Sequence, residues 1–133
     1  MLRITREALA GIVAHARDDA PIEACGYLGA REGVAARALR LTNADASPEH
    51  FSLLPREQFS AVRALREMGL ALRAVYHSHP ASPARMSAED IRLAVDPALS
   101  YVIVSLAGPE PVVKSFTVAS GVAEEPIEIA EVP

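Results

Sequence analysis

Apolar residues recur along this chain in two rhythms, one near the turn of an α-helix and one at every second position. Ile4, Ala8, Leu9, Ile12, Val13 and Ala16 follow the helical spacing, Thr5 is a candidate cap, and Pro21 ends the unit. Residues 23–30 predict a strand that turns at Arg31-Glu32-Gly33 into a hairpin partner over 34–41. The Asn, Asp, Ser and Pro content of 42–50 predicts a loop, and 50–54 is compatible with a short strand.

Pro55 is well placed as the first residue of a second helix, which carries Phe59, Val62, Leu65 and Met68 before Gly69 stops it. A strand over 72–79 follows, then a short helix over 87–95. The most apolar stretch, Ser100 to Leu106, predicts a strand at the centre of the sheet, and a turn at 107–111 leads to a last strand over 112–118. The acidic, Pro-ended tail from about 122 to 133 is expected to be loosely ordered. This alternation of helices and strands, without repeats or linkers, indicates an α/β fold and one domain over 1–133.

Composition narrows the function classes. The 133 residues are 50% hydrophobic and 23% charged, enough apolar material for a core and against disorder. A net charge of −4 leaves no electrostatic footprint for nucleic acid or an anionic membrane. Cys25 is the only cysteine, so no internal disulfide forms and a reducing cytoplasm is the simpler compartment. The N-terminus lacks the continuous apolar stretch of a signal peptide. The longest uncharged run, 97–109, falls short of the ~18 residues that suggest a membrane span.

The chemistry concentrates in Tyr-His-Ser-His-Pro-Ala-Ser-Pro-Ala-Arg-Met-Ser-Ala-Glu-Asp, residues 76–90. In a strand His77 and His79 point to one face and Ser78 to the other. Pro80 discourages further pairing, so the following loop can fold Asp90 back toward the histidines. Two imidazoles and a carboxylate suit zinc, and three protein ligands leave a fourth position open, as in catalytic sites. Each residue also has a plainer reading. Ser87 and Asp90 have the spacing of a helix capping box, the histidines fit a partly exposed strand, and Glu23 alone reads as a surface carboxylate. Cys25 reads as a small buried residue beside Gly26, with nucleophile and metal ligand as weaker options. His15 and His50 have no spacing partner and read as structural or solvated. The arginines are scattered, and Gly26 and Gly29 are too sparse for a phosphate loop.

Taken together, His-x-His-x7-Ser-x2-Asp resembles the JAMM motif of the MPN+ metallopeptidases. Pro-Ile-Glu-Ala-Cys-Gly supplies the upstream glutamate of that family as Glu23, followed by Cys25-Gly26. Met86 departs from the proline often found before the serine. The resemblance implies a single MPN domain, α/β (α+β-like), with a mixed sheet curved around and flanked by helices on a cytidine-deaminase-like core. It implies one Zn2+ per chain held by His77, His79 and Asp90, with Glu23 as proton acceptor and donor and Ser87 stabilising the oxyanion. The implied reaction is hydrolysis of a peptide or isopeptide bond without a covalent intermediate. The short chain is similar to stand-alone prokaryotic members, which implies as partner a ubiquitin-like or β-grasp sulfur-carrier protein ending in Gly-Gly, such as a carrier–cysteine adduct. A homodimer stays open. Two alternatives also stay open, a non-catalytic MPN interaction module and a RadC-like protein associated with DNA. The latter family usually reads His-Asn-His-Pro-Ser-Gly where this chain reads His-Ser-His-Pro-Ala-Ser.

Overall fold

The computed structural model describes residues 1–131, whose elements run β1 (Leu2–Thr5), α1 (Arg6–Asp19), β2 (Cys25–Arg31), β3 (Val34–Leu41), α2 (Pro55–Glu67), β4 (Ala71–His79), α3 (Ala88–Leu93), β5 (Ser100–Ser105), β6 (Val112–Thr117), β7 (Ala123–Glu125) and β8 (Ile127–Ala130). All the strands join one mixed sheet in the order β7-β6-β5-β4-β2-β3-β1-β8. The β2–β3 and β2–β4 pairs are antiparallel, whereas β4 and β5 run parallel with α3 in their crossover. The expected α/β class, a sheet flanked by helices, is what forms. No helix among the described residues is long and apolar enough to cross a membrane.

Helix α1 begins where Thr5 Oγ1 accepts the Ala8 N–H at 3.1 Å. Its apolar stripe of Ala8, Ile12 and Ala16 packs on one face of the sheet, against Leu2, Ile4, Leu28, Tyr76, Val102 and Val104. Each large aliphatic side chain so buried contributes about 1.5–3 kcal/mol. His15 is buried in the same layer, with Nδ1 2.7 Å from the Tyr76 hydroxyl and Nε2 3.0 Å from Asp19. Burial lowers the His15 pKa, opposed by Asp19. The Tyr76 ring leaves no room over Gly26, where a Cβ would lie 2.5 Å from it and would also meet the Leu39 carbonyl. The opposite face carries a second cluster, in which Ala61 and Leu65 of α2 cover Cys25, Tyr27 and Leu41.

The structure departs from the sequence reading in four places. Ile4 belongs to β1, where Leu2 and Ile4 are buried and Arg3 is exposed, and the helix starts only after Thr5. Residues 50–54 form no strand. Strand β5 is interior, but β4 and β2 hold the two middle places. The tail over 123–130 is ordered as strands, while 132–133 lie outside the described residues. Only Pro126 separates β7, which pairs with β6, from β8, which pairs with β1. One short segment therefore ties both edges of the sheet and bends it around α1. At this join Glu125 is buried and accepts from Ser100 Oγ at 2.5 Å and Ser115 Oγ at 2.7 Å, with the Met1 amino group at 2.9 Å. An acidic composition read in isolation gives no sign of these partners.

Two outcomes test this packing. Gly26→Ala should lower the unfolding free energy by about 1–3 kcal/mol in urea titrations, because neither the ring nor the carbonyl can retreat. Burial pushes the Glu125 carboxyl up, but hydrogen bonds from Ser100, the amino terminus and Ser115 outweigh it and leave the pKa below the usual 4.5. A depressed folded pKa adds stability above about pH 4.5 that disappears as the pH falls through the folded value. The stability gap between wild type and Glu125→Gln should therefore be largest near neutrality and shrink on acidification below that point.

Candidate metal centre

The site forms at the carboxyl ends of the parallel pair β4 and β5, the end of an α/β sheet where crossover helices present their N-termini. Alternation along β4 sends Ala74, Tyr76 and Ser78 into or beside the α1 layer, and Val75, His77 and His79 to the other face. His77 and His79 are almost fully buried, and their Nε2 atoms are 3.2 Å apart. Asp90 returns from the first turn of α3 with Oδ1 3.1 Å from His77 Nε2 and Oδ2 3.1 Å from His79 Nε2.

The protons in this group can be counted. The Pro83 carbonyl only accepts, so His79 Nδ1, at 2.8 Å, donates to it. Neutral His79 therefore turns an unprotonated Nε2 toward another imidazole nitrogen and a carboxylate. Such a cluster suits a shared cation, either a proton or a metal. The surroundings favour positive charge. Burial pushes the Asp90 carboxyl up, yet hydrogen bonds from His77, His79 and the Ser87 amide hold it far below the usual carboxylate range. Burial pushes His79 down, and its bonds to Asp90 and Pro83 overcome this and raise it.

These three residues fit a zinc ion. Tetrahedral bonds of about 2.0–2.1 Å place ligand atoms roughly 3.3 Å apart. The imidazole nitrogens are 3.2 Å apart and each is 3.1 Å from a different Asp90 oxygen, and one atom from each residue can be chosen with all within 4.8 Å. A carbonyl fixing the second nitrogen of a ligand histidine is the usual outer support of such sites.

Glu23 lies just before β2 and is 3% exposed, with no hydrogen-bond partner for Oε1 among the described residues. Burial raises its pKa to about 7, against the attraction of His79. Glu23 is therefore no surface carboxylate but a buried one that feels the charges of His79 and Asp90. Ser87 completes the capping box. Its Oγ accepts the Asp90 N–H at 3.0 Å, and its own N–H donates to Asp90 Oδ2 at 2.9 Å. The hydroxyl proton finds no acceptor among the described residues, so capping leaves it free to donate.

Cys25 stays outside the cluster. It pairs with His77 across the sheet but is buried under α2, and burial pushes its thiol up to about 12. His15 is structural, and exposed His50 meets Asp45 at 3.2 Å. Three contributors escaped the sequence reading. Ser78, expected only to face away, accepts the Ala24 N–H at 2.8 Å. Phe51 lies over His77 with ring centroids 4.8 Å apart. Asn43 donates to the Glu23 carbonyl at 3.1 Å. Loop composition gave no sign of Asn43 or Phe51, whereas a hydroxyl between two candidate ligands was a usable signal. Beside His77 and Asp90 opens a cleft of about 390 Å³, walled by Phe51, Leu53, Val75, Met86, Leu93 and Leu99.

Residues 5–119 match the family described as prokaryotic homologs of the JAB domain. The chain is 37% identical over 135 residues to the CysO-cysteine peptidase of Mycobacterium tuberculosis, covering 98% of this chain and 92% of that protein. The solution structure of a Desulfitobacterium hafniense protein superposes with a TM-score of 0.88 at 49% identity, covering 99% and 94% of the two chains. The crystal structure of a JAB1/MPN domain protein from Archaeoglobus fulgidus shares the fold at a TM-score of 0.69 and 21% identity, covering 97% of each chain. Motif, architecture and comparisons agree that this chain belongs to the prokaryotic JAB family, the JAMM/MPN group that its histidines and aspartate resemble.

Proposed function

We propose that this protein is a zinc-dependent hydrolase that cleaves the bond after the C-terminal Gly-Gly of a β-grasp carrier, releasing an amino acid such as cysteine from a carrier adduct. The observation that carries the reading is the convergence of His77, His79 and Asp90, with the buried carboxyl of Glu23 electrostatically coupled to His79 and Asp90. The relative named CysO-cysteine peptidase, aligned over nearly the whole chain, supports the substrate class. Residues 1–133 act as one domain in this reading, and the lone buried Cys25 suits a reducing cytoplasm.

His77, His79 and Asp90 would hold the Zn2+. When bound, the ion supplies Lewis acidity that brings the pKa of water from ~15.7 toward about 7. Glu23 accepts the proton of the attacking water as oxygen adds to the carbonyl carbon. It then passes that proton to the leaving amine as the C–N bond breaks. Ser87 donates its hydroxyl proton in a hydrogen bond to the carbonyl oxygen as negative charge develops there. Burial of both histidines and Glu23 keeps bulk water away and strengthens each of these interactions.

The cleft lies at the His77–Asp90 side, and its walls include neither Glu23 nor His79. Because Glu23 serves the leaving amine, the cleft belongs to the acyl side, where the carrier tail enters. Among the described residues no arginine or lysine lines it, and Glu89 does, so it suits an uncharged tail.

The direct test is mass-detected release of cysteine from a β-grasp carrier extended by one C-terminal cysteine. Zinc-loaded protein should turn it over, chelator should stop turnover, and Glu23→Gln should lower kcat/KM by roughly 10²–10⁴-fold. No turnover on any Gly-Gly fusion would contradict the substrate assignment. Metal titration should give one Zn2+ per chain, lost in His77→Ala and in Asp90→Ala. Glu23 must be ionised to accept a proton, so kcat/KM should fall on acidification with a midpoint at or below about 7, since Zn2+ favours the carboxylate. That acid limb should be missing from the residual activity of Glu23→Gln.

A further inference from the structure

We propose that Asn43 is a positioning residue whose single side-chain amide sets both the aim of Glu23 and the Phe51 wall of the cleft. The inference rests on Glu23 being the proton-transfer group.

Asn43 is 8% exposed and uses both ends of its amide. Nδ2 donates to the Glu23 carbonyl at 3.1 Å and to the His50 carbonyl at 3.0 Å, with the Ser47 carbonyl further off at 3.4 Å. Oδ1 accepts from the Asp45 amide at 3.1 Å and the Ser52 amide at 3.3 Å. One planar group thereby joins the start of β2 to both flanks of Phe51, whose ring lies 4.8 Å from that of His77. The loop needs such ties, because Ala46 sits at φ 44°. A non-glycine residue in that region is strained.

Glu23 depends on this anchoring more than an ordinary carboxylate would. Its Oε1 has no hydrogen bond among the described residues, so that oxygen is aimed by the backbone behind it. The backbone is fully tied. The Glu23 amide donates to the Ser47 carbonyl at 2.9 Å, and its carbonyl accepts from Asn43. Ala24 donates to Ser78 Oγ at 2.8 Å and accepts from the Ser78 amide at 2.9 Å. Ser78 fixes Glu23 relative to the ligand strand, and Asn43 fixes it relative to the loop over His77. A shift of about 1 Å in a reacting group can cost on the order of a hundredfold in rate.

Asn43→Asp is nearly isosteric and keeps the two acceptor bonds to Asp45 and Ser52, but it turns an oxygen toward the carbonyls of Glu23 and His50. Asn43→Ala removes all the contacts. Both would be made in the full chain and in the Glu23→Gln background. Single-turnover cleavage of the carrier extended by one cysteine would be measured with enzyme in excess, beside zinc titration and urea unfolding. The expected result is a loss of roughly 10–100-fold in cleavage rate for folded Asn43→Asp, with zinc affinity within about twofold of wild type. In the Glu23→Gln background the same substitution should cost less than about twofold, because a positioning residue has nothing left to position. Should Asn43→Ala not fold, Asn43→Asp alone carries the comparison. Wild-type rates in Asn43→Asp, a loss that persists undiminished without the Glu23 carboxylate, or a parallel loss of zinc would each overturn the proposal. An inactive Glu23→Gln beside a fully active Asn43→Asp removes Asn43 alone, whereas a fully active Glu23→Gln removes the underlying reading as well.

Discussion

Strand alternation over three residues is the constraint from which the site follows. His77 and His79 must share a face to meet one cation, so Ser78 is forced to the other, where a polar side chain needs a partner. It finds one in the Ala24 amide, directly behind Glu23. The same period that pairs the imidazoles therefore clamps the carboxyl-bearing segment to their strand. A one-residue slip of β4 would undo both at once, turning the histidines into the α1 layer and releasing Ala24. The register is held on both flanks, by Cys25 opposite His77 on β2 and by Ile103 opposite His77 on β5.

Such a cluster is costly as a stability device. It buries two imidazoles against a half-buried carboxylate, and it leaves Glu23 Oε1 unsatisfied among the described residues. Buried polar groups in that condition destabilise a fold unless something else is gained. The surrounding elements offset this with apolar packing on both faces of the sheet and with a tail segment that ties its two edges. In the proposed function, proton acceptance and cation binding are the gain that the arrangement offers. A carboxyl destabilised as an anion is a stronger base than one solvated at the surface.

Most of the framework was legible because period and punctuation agreed. Strand β3 and the start of α2 at Pro55 have the limits expected from the chain. The convergence of His77, His79 and Asp90 followed from strand alternation and a short returning loop. What stayed hidden depends on partners distant in sequence. Four residues at β1 are too few to show a strand period, and they are held by β3 and β8 from elsewhere in the chain. The acidic tail looked solvated because the two serines that bind Glu125 lie on β5 and β6. Asn43 read as a loop former, and that is true of it. Nothing local shows that its amide also holds Glu23, twenty residues upstream in sequence.

X-ray absorption at the zinc edge of metal-loaded protein tests the central claim most directly. Two imidazole nitrogens and an aspartate oxygen should give a nitrogen and oxygen shell at about 2.0–2.1 Å with imidazole outer scattering. A sulfur shell near 2.3 Å would bring in Cys25, and a spectrum without imidazole scattering would remove the histidines. Either result would contradict a zinc ion gripped by His77, His79 and Asp90.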